Sequence, residues 1–202
     1  MLLLKFIFKI FTIHLIAVLR FGKCFEVFYS SFKSIHYPDV VIRMTLTLAK
    51  LSQALFLLSD HIIWLSRSGL FKGINPKKWL QISNKYWLLS IIMNLARDFY
   101  EIIRLIDLHK AAGKSGITRR NPPISITSTR DLSKLVLQTY ALLHGHRDIV
   151  VDTVKNCCDL FIPLTALGYT KLSPRTIGLL GVLSSAAGLI ALIEPHAKLL
   201  PA

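Results

Sequence analysis

From Phe21 to Ile35 the apolar positions Phe21, Phe25, Phe28, Phe32 and Ile35 recur at spacings of four, three, four and three. At 100° per residue they fall within an arc of about 80°, the signature of an amphipathic helix. Lys23, Glu26, Ser30, Lys33 and Ser34 take the opposite side. Such a stripe of rings backed by lysines suits a helix lying in the plane of a membrane surface, with aromatics at the acyl boundary and ammonium groups at phosphates. The pattern equally allows a helix that turns its phenylalanines into a protein core. Tyr37-Pro38 ends the element, because the residue before a proline disfavours the α region. Val40 to Arg67 predicts a second, longer helix. Its polar residues Arg43, Lys50, Gln53, Asp60 and Arg67 line one narrow face, and most of the remainder is apolar. After a basic turn at Gly73 to Lys78, Trp79 to Leu105 predicts a third helix with a stripe of Ser90, Asn94, Arg97, Glu101 and Arg104. In it Arg97 and Glu101 stand at a favourable i,i+4 spacing. Both stripes read best as polar seams between helices. His109 to Arg130 combines Gly, Ser, Thr and Pro-Pro with five basic residues and no acid, and reads as a linker. Asp131 to His146 and Ile149 to Phe161 predict further helices. Asp152, Lys155 and Asp159 form a charged ladder on the latter, which Pro163 and Gly168 are expected to close.

Thr176 to Ile193 is an eighteen-residue run without a charge, bounded by Arg175 and Glu194. A helix of that length reaches roughly 27 Å, close to the ~30 Å hydrocarbon core of a bilayer. Ser173 as N-cap and Pro174 at the first helical position supply a start, and Pro195 a stop. Gly181, Ser185 and Gly188 share one face on which a second helix could approach closely. The alternative, a buried core helix of a soluble protein, fits poorly with the rest of the composition. The first nineteen residues resemble a signal peptide at first sight. Lys5 and Lys9 interrupt their apolar part, however, and no small-residue cleavage site follows Leu19, so an interfacial or partly inserted helix is expected.

Hydrophobic residues make up 52% of the chain, more than most soluble domains of this size carry. The 25 Lys and Arg against 11 Asp and Glu give a formal net charge of +14, which suits anionic lipid headgroups. Nucleic acid is disfavoured as a partner because the basic residues are scattered among apolar helices without a reader motif. Cys24, Cys157 and Cys158 form no C-x-x-C pair, and no N-x-S/T acceptor occurs, which together favour a reducing, cytosol-facing setting. No catalytic constellation, metal-ligand cluster or cofactor fingerprint emerges. Gly113-Lys114-Ser115 resembles the end of a phosphate loop, but Leu108 stands where its first glycine belongs. His144 to Asp148 has the wrong spacing for an acyltransferase pair. The sequence therefore predicts an all-α, membrane-associated bundle of amphipathic helices with a C-terminal transmembrane helix and no enzymatic activity. It divides into membrane-associated helices over 1–107, a basic flexible linker over 108–130, and C-terminal helices over 131–202.

Three stretches bring a known family into view. WLSRSG (Trp64 to Gly69), SIIMNLARDFYEI (Ser90 to Ile102) and NCCDLFIPLTALG (Asn156 to Gly168) resemble, in order and spacing, the peroxisomal membrane protein 11 (peroxin-11) family in its animal type. The small-residue segment GLLGVLSS (Gly178 to Ser185) follows the third, and the resemblance extends from about Arg20 to Leu200. Residues 1–19 depart from the family's usual start, as a shortened or alternative N-terminus would. The resemblance implies an integral protein of the peroxisomal membrane, delivered from the cytosol, that elongates and tubulates the organelle before division. The bending is assigned to an amphipathic helix in the N-terminal half, which here corresponds to Phe21 to Ile35. It also implies self-association and recruitment of fission factors, including a dynamin-related GTPase, and keeps open a second reading as a channel or metabolite pore. That pore would be lined by Arg43, Lys50 and Asp60 with Arg97, Glu101 and Arg104. The C-terminal Leu199-Leu200-Pro201-Ala202 is not a matrix-import tripeptide, which fits the expectation of a membrane rather than a lumenal protein.

If Thr176 to Ile193 spans the bilayer, Leu183→Arg should cost roughly 2.5 to 3.5 kcal/mol of insertion at mid-helix. Alkaline carbonate extraction measures this directly, and an Arg variant as firmly integrated as the parent would sink the assignment.

Overall fold

A computed structural model describes residues 21–68, 73, 75–115 and 145–193, and among these all regular structure is helical. The helices are α1 (21–34), α2 (Val40–Arg67), α3 (Pro76–Ser115), α4 (Arg147–Ala166) and α5 (Pro174–Ile193). The all-α class and the long apolar C-terminal helix stand as read from the sequence. The expected helix at the extreme N-terminus, most of Asp131 to His146, the rest of the linker and the Pro195 stop lie outside the described residues.

Each boundary has a local cause. Between α1 and α2 the break at Tyr37-Pro38 is followed by Asp39, whose carboxylate accepts the Val41 and Ile42 N–H groups at 2.8 and 3.4 Å. That is an N-cap, and Tyr100 Oη donates to its other oxygen at 2.7 Å, pinning the start of α2 against α3. The Tyr100 hydrogen bond, seconded by the two backbone donors, holds the Asp39 carboxyl below the usual carboxylate range. Helix α3 begins three residues ahead of the expected Trp79, because Asn75 Oδ1 accepts the Lys77 N–H at 3.1 Å and Pro76 fits the first helical position. It runs on to Ser115, into the stretch read as linker, since a single glycine at 113 weakens a helix without ending it. Pro163 does not close α4 as expected. It lies inside the helix and is buried, and the bonding resumes beyond it with Leu167 N–H to Pro163 O at 2.9 Å. Its ring nitrogen has no N–H to donate, which removes one hydrogen bond from the ladder. The true stop is Gly168, at φ +85°, with Tyr169 N–H reaching Leu164 O at 2.9 Å and Gly168 N–H reaching Thr165 O at 3.1 Å. This is a Schellman closure, and its left-handed residue is where glycine is strain-free. Ser173 caps α5 through Thr176 N–H at 3.2 Å, as its sequence position suggested.

Successive helices run antiparallel. Helix α1 meets α2 at pairs that descend in one as they rise in the other: Ser34 with Lys50, Cys24 with Ala54, Phe21 with His61. Between α2 and α3 the order is Asp39 with Tyr100, Gln53 with Ser90 at 3.2 Å, and Phe56 stacked on Trp87 at 5.5 Å. The polar stripes of these two helices are thus partly spent on one another. Buried Ile42, Leu46, Ala49, Leu57, Ile91 and Leu95 form the apolar centre of this part. Helices α4 and α5 form a second hairpin around the Gly168 turn, in which Gly188 lies beside the alkyl stem of Lys155.

A buried polar node joins α3 to α4. The Arg97 guanidinium donates to Asp98 through Nη2 at 2.8 Å and Nε at 3.3 Å, and Nη2 also bonds Asp152 of α4. Asn156 Nδ2 donates to the second Asp98 oxygen at 2.9 Å, and the Asp98 side chain is 0% exposed. The expected Arg97–Glu101 pairing gives way to this arrangement, because Asp98 and Asp152 offer the guanidinium hydrogen-bonded partners. Burial works against the Arg97 cation, but Asp152 and Asp98 lift its pKa and keep it charged. Burial raises the Asp98 carboxyl, with Arg97 and Asn156 pulling the other way. Half-buried Glu101 is raised by burial and by Asp98 and Asp148, with Arg97 opposing, and its Oε1 has no hydrogen-bond partner.

Replacing Arg97 by Met should cost about 3 to 5 kcal/mol in denaturant unfolding of the detergent-solubilised chain, because it strands a buried carboxylate. Glu101→Gln should act in the opposite sense. A carboxyl raised in the folded state lowers stability as pH climbs above its unfolded value of about 4.3. The Gln variant should therefore match the parent near pH 4 and exceed it by a growing margin toward neutrality, read as thermal midpoints across that range.

Candidate membrane-binding surface

Helix α1 has three faces rather than two. Cys24, Ser31 and Ser34 are buried, with Val27 and Ser30 half-buried beside them, and this strip of small side chains is what docks on α2. The three serine hydroxyls turn back onto their own helix, to Val27 O, Phe28 O and Ser30 O, so they can be buried without orphaned donors. Across the contact, Cys24 Sγ lies 3.4 Å from Ala54 O, and Lys50 Nζ donates to Ser34 Oγ at 2.8 Å and Ser30 O at 3.2 Å. Ser30 and Ser34, grouped with the charged face in the sequence, belong to this docking strip. Only their size distinguished them from lysine, and their partners sit on another helix.

The phenylalanine stripe is left outside. Phe21, Phe25, Phe28, Phe32 and Ile35 are all exposed, Phe25 at 59%. Phe21 sits edge-on to Phe25 at 5.0 Å and Phe28 edge-on to Phe32 at 5.2 Å, so the rings form two pairs along one continuous ridge. Phe21 also touches the His61 ring at 5.1 Å. Lys33 is exposed on the third face with Glu26 and Tyr29, its ammonium 5.4 Å from the Tyr29 ring, and Lys23 is exposed at the N-terminal end of the docking strip, in line with Ser30 and Ser34. Five large apolar side chains on one ridge of a docked helix make a contiguous patch of the kind soluble monomers seldom expose.

Helix α5 is the second apolar surface. Its length and composition allow it to cross a membrane, and so do those of α2. Of the two, α5 is the less buried: Ser184 and Ala187 are enclosed against α4, while Leu179, Val182, Leu183, Leu189 and Leu192 are exposed, Leu192 at 80%. Of the small residues singled out for packing, Gly188 faces Lys155 at the edge of the intrachain contact. Gly181 has nothing within 4 Å of where a Cβ would stand, and Ser185 is exposed. The face actually used within the chain, through Ser184 and Ala187, lies about a sixth of a turn or more to one side of the small-residue stripe. Nothing distinguishes alanine and serine there from their neighbours in sequence. Of the six residues proposed to line a pore, Lys50 bonds Ser34 and Arg97 bonds Asp152, each across a contact between helices.

Helices that stack through small and polar strips while presenting phenylalanine, leucine and valine outward define a membrane-surface protein rather than a soluble bundle. The chain belongs to the peroxisomal biogenesis factor 11 (PEX11) family, whose model matches residues 17–193. It is 35% identical to peroxisomal membrane protein 11B of Bos taurus and of Homo sapiens, over 91% of this chain and 78% of each relative. Peroxisomal membrane protein 11A of Mus musculus is 32% identical over 89% of this chain and 75% of its own length. No solved structure matches it. Two of the stretches that carry the likeness meet in the fold: Arg97 and Asp98 come from one, Asn156 from the other, and they close the buried node.

Proposed function

We propose that this chain is an integral protein of the peroxisomal membrane that bends and elongates it, promoting division and proliferation of the organelle. The observation that carries the reading is the ridge of Phe21, Phe25, Phe28, Phe32 and Ile35, exposed on a helix whose docking needs are met by a different face. Rings inserted at the acyl boundary of one leaflet expand it relative to the other and favour positive curvature. Each well-buried Phe contributes on the order of 1.5 to 3 kcal/mol, enough for four to anchor a helix that lysine contacts with anionic lipid would only attract. Lys23 and Lys33 supply that attraction at about 1 kcal/mol each near the surface. Helix α5 fixes the chain in the bilayer, and the open Gly181 and Ser185 side of α5 offers a place for a second copy, so that many wedges gather in one patch. Recruitment of fission factors, including a dynamin-related GTPase, follows the family likeness. No catalytic step is part of this reading.

The test is the full chain carrying Phe25→Ser and Phe32→Ser. Removing roughly 3 to 6 kcal/mol of interfacial burial should abolish tubulation of anionic vesicles and elongation of peroxisomes in cells. Phe25→Leu with Phe32→Leu should preserve both. A double Ser variant that tubulates like the parent would sink the proposal.

A further inference from the structure

The ridge on α1 has a counterpart on α2. Val40, Met44, Leu48, Leu51, Leu55 and Leu58 fall within an arc of about 80° at helical spacing, the same width as the phenylalanine arc. Val40, Met44, Leu48 and Leu58 are exposed, and Leu51 and Leu55 are half-buried. The rest of α2 is committed: Lys50, Ala54 and His61 meet α1, while Gln53 and Phe56 meet α3. Going round α2, the apolar stripe lies roughly a quarter-turn from the α1 contact, on the side away from α3. On α1 the phenylalanines lie roughly a quarter-turn from the docking strip. Because the two helices run antiparallel, these quarter-turns carry both apolar faces to the same side of the pair. The charged side of α1, with Glu26 and Lys33, lies about a third of a turn from the docking strip in the opposite sense and is turned toward α3, so the rings look away from it.

We propose that the element entering the leaflet is the closed α1–α2 hairpin, with the phenylalanine ridge and the Val40–Leu58 stripe forming one lipid-binding face. The inference rests on the wedge reading above and deepens it. The occupant of the face is the acyl boundary of an anionic bilayer, because both stripes are uncharged and apolar and the chain as a whole carries a formal net charge of +14. Two helices side by side displace a strip about 20 Å wide, twice that of a lone helix, so the area expansion per molecule doubles. Nothing in the hairpin has to open for this. The docking strip, the Cys24 contact and the Lys50 bonds to Ser30 and Ser34 all lie off the lipid side. The arrangement also gives α2 a role other than a crossing: it lies along the surface with one face in lipid and two in protein.

Native Cys24 against Ala54 provides a lock. The full chain with Ala54→Cys, Cys157→Ser and Cys158→Ser is reconstituted into vesicles of phosphatidylcholine and phosphatidylserine, oxidised or reduced, and tubules are counted by electron microscopy. Oxidised and reduced forms should tubulate equally. In a second arm Met44→Ser with Leu48→Ser, at exposed sites and with helicity unchanged by circular dichroism, should lower tubulation by about tenfold or more. Tubulation by the reduced form but not the oxidised one means that α1 must leave α2, and overturns the proposal. Full activity of the Met44/Leu48 variant overturns it as well, with α1 alone as the wedge. If the unsubstituted chain fails to tubulate these vesicles, the wedge reading falls, and this inference with it.

Discussion

The contact on which the arrangement of the two hairpins depends is the buried guanidinium of Arg97, shared between Asp98 on its own helix and Asp152 on α4. Among helices α2 to α5, the α4–α5 hairpin reaches the other two through the α3–α4 contact. An ion pair in such a place adds little net stability, since desolvation consumes most of the Coulombic gain. Its value lies in geometry. A shift of α4 by one turn would take Asp152 away from Arg97 and Asn156 away from Asp98, leaving a buried guanidinium and a buried carboxylate each short of a partner. The node thereby sets the register between the part that carries the phenylalanine ridge and the part that carries the apolar C-terminal helix.

With that register fixed, α2 and α3 keep an ordinary apolar centre, while α1 and α5 pack in the reverse of the soluble pattern. These two approach their neighbours through small side chains, Cys24, Ser31 and Ser34 on α1 and Ser184 and Ala187 on α5. Their large side chains go outward. In water this would expose the most costly surface of the molecule, whereas in lipid there is no hydrophobic gain in burying a leucine, and close backbone approach with hydrogen bonding decides which faces meet. The same physics explains why the phenylalanines of α1 could be outward without weakening its attachment. The docking strip needs short side chains, and the rings sit a quarter-turn away from it.

How much of this was legible beforehand follows from the range over which each cause acts. Helical periodicity, the Ser173-Pro174 start, the break at Tyr37-Pro38 and the uncharged run of α5 are written in residues a few positions apart, and the fold keeps them. The phenylalanine arc was equally plain. The stop at Gly168 was visible, but Pro163 was not separable from it, because whether a proline ends a helix depends on what holds the turn after it. The partner of Arg97 was out of reach: Glu101 at the favourable local spacing and Asp152 on a distant helix are chemically equivalent, and only packing chooses between them.

The sequence by itself determined that the chain is helical, that it belongs at a membrane, and which residues form the apolar stripes, because amphipathic period and uninterrupted apolar length are local properties. Tertiary structure decided which way the stripes face. The arc from Phe21 to Ile35 is compatible with a core or with lipid, and it was the docking of Cys24, Ser31 and Ser34 against α2 that sent the rings outward. A side chain's neighbours across a helix contact are set by residues far away in sequence, so no reading of one helix can say which of its faces will be covered.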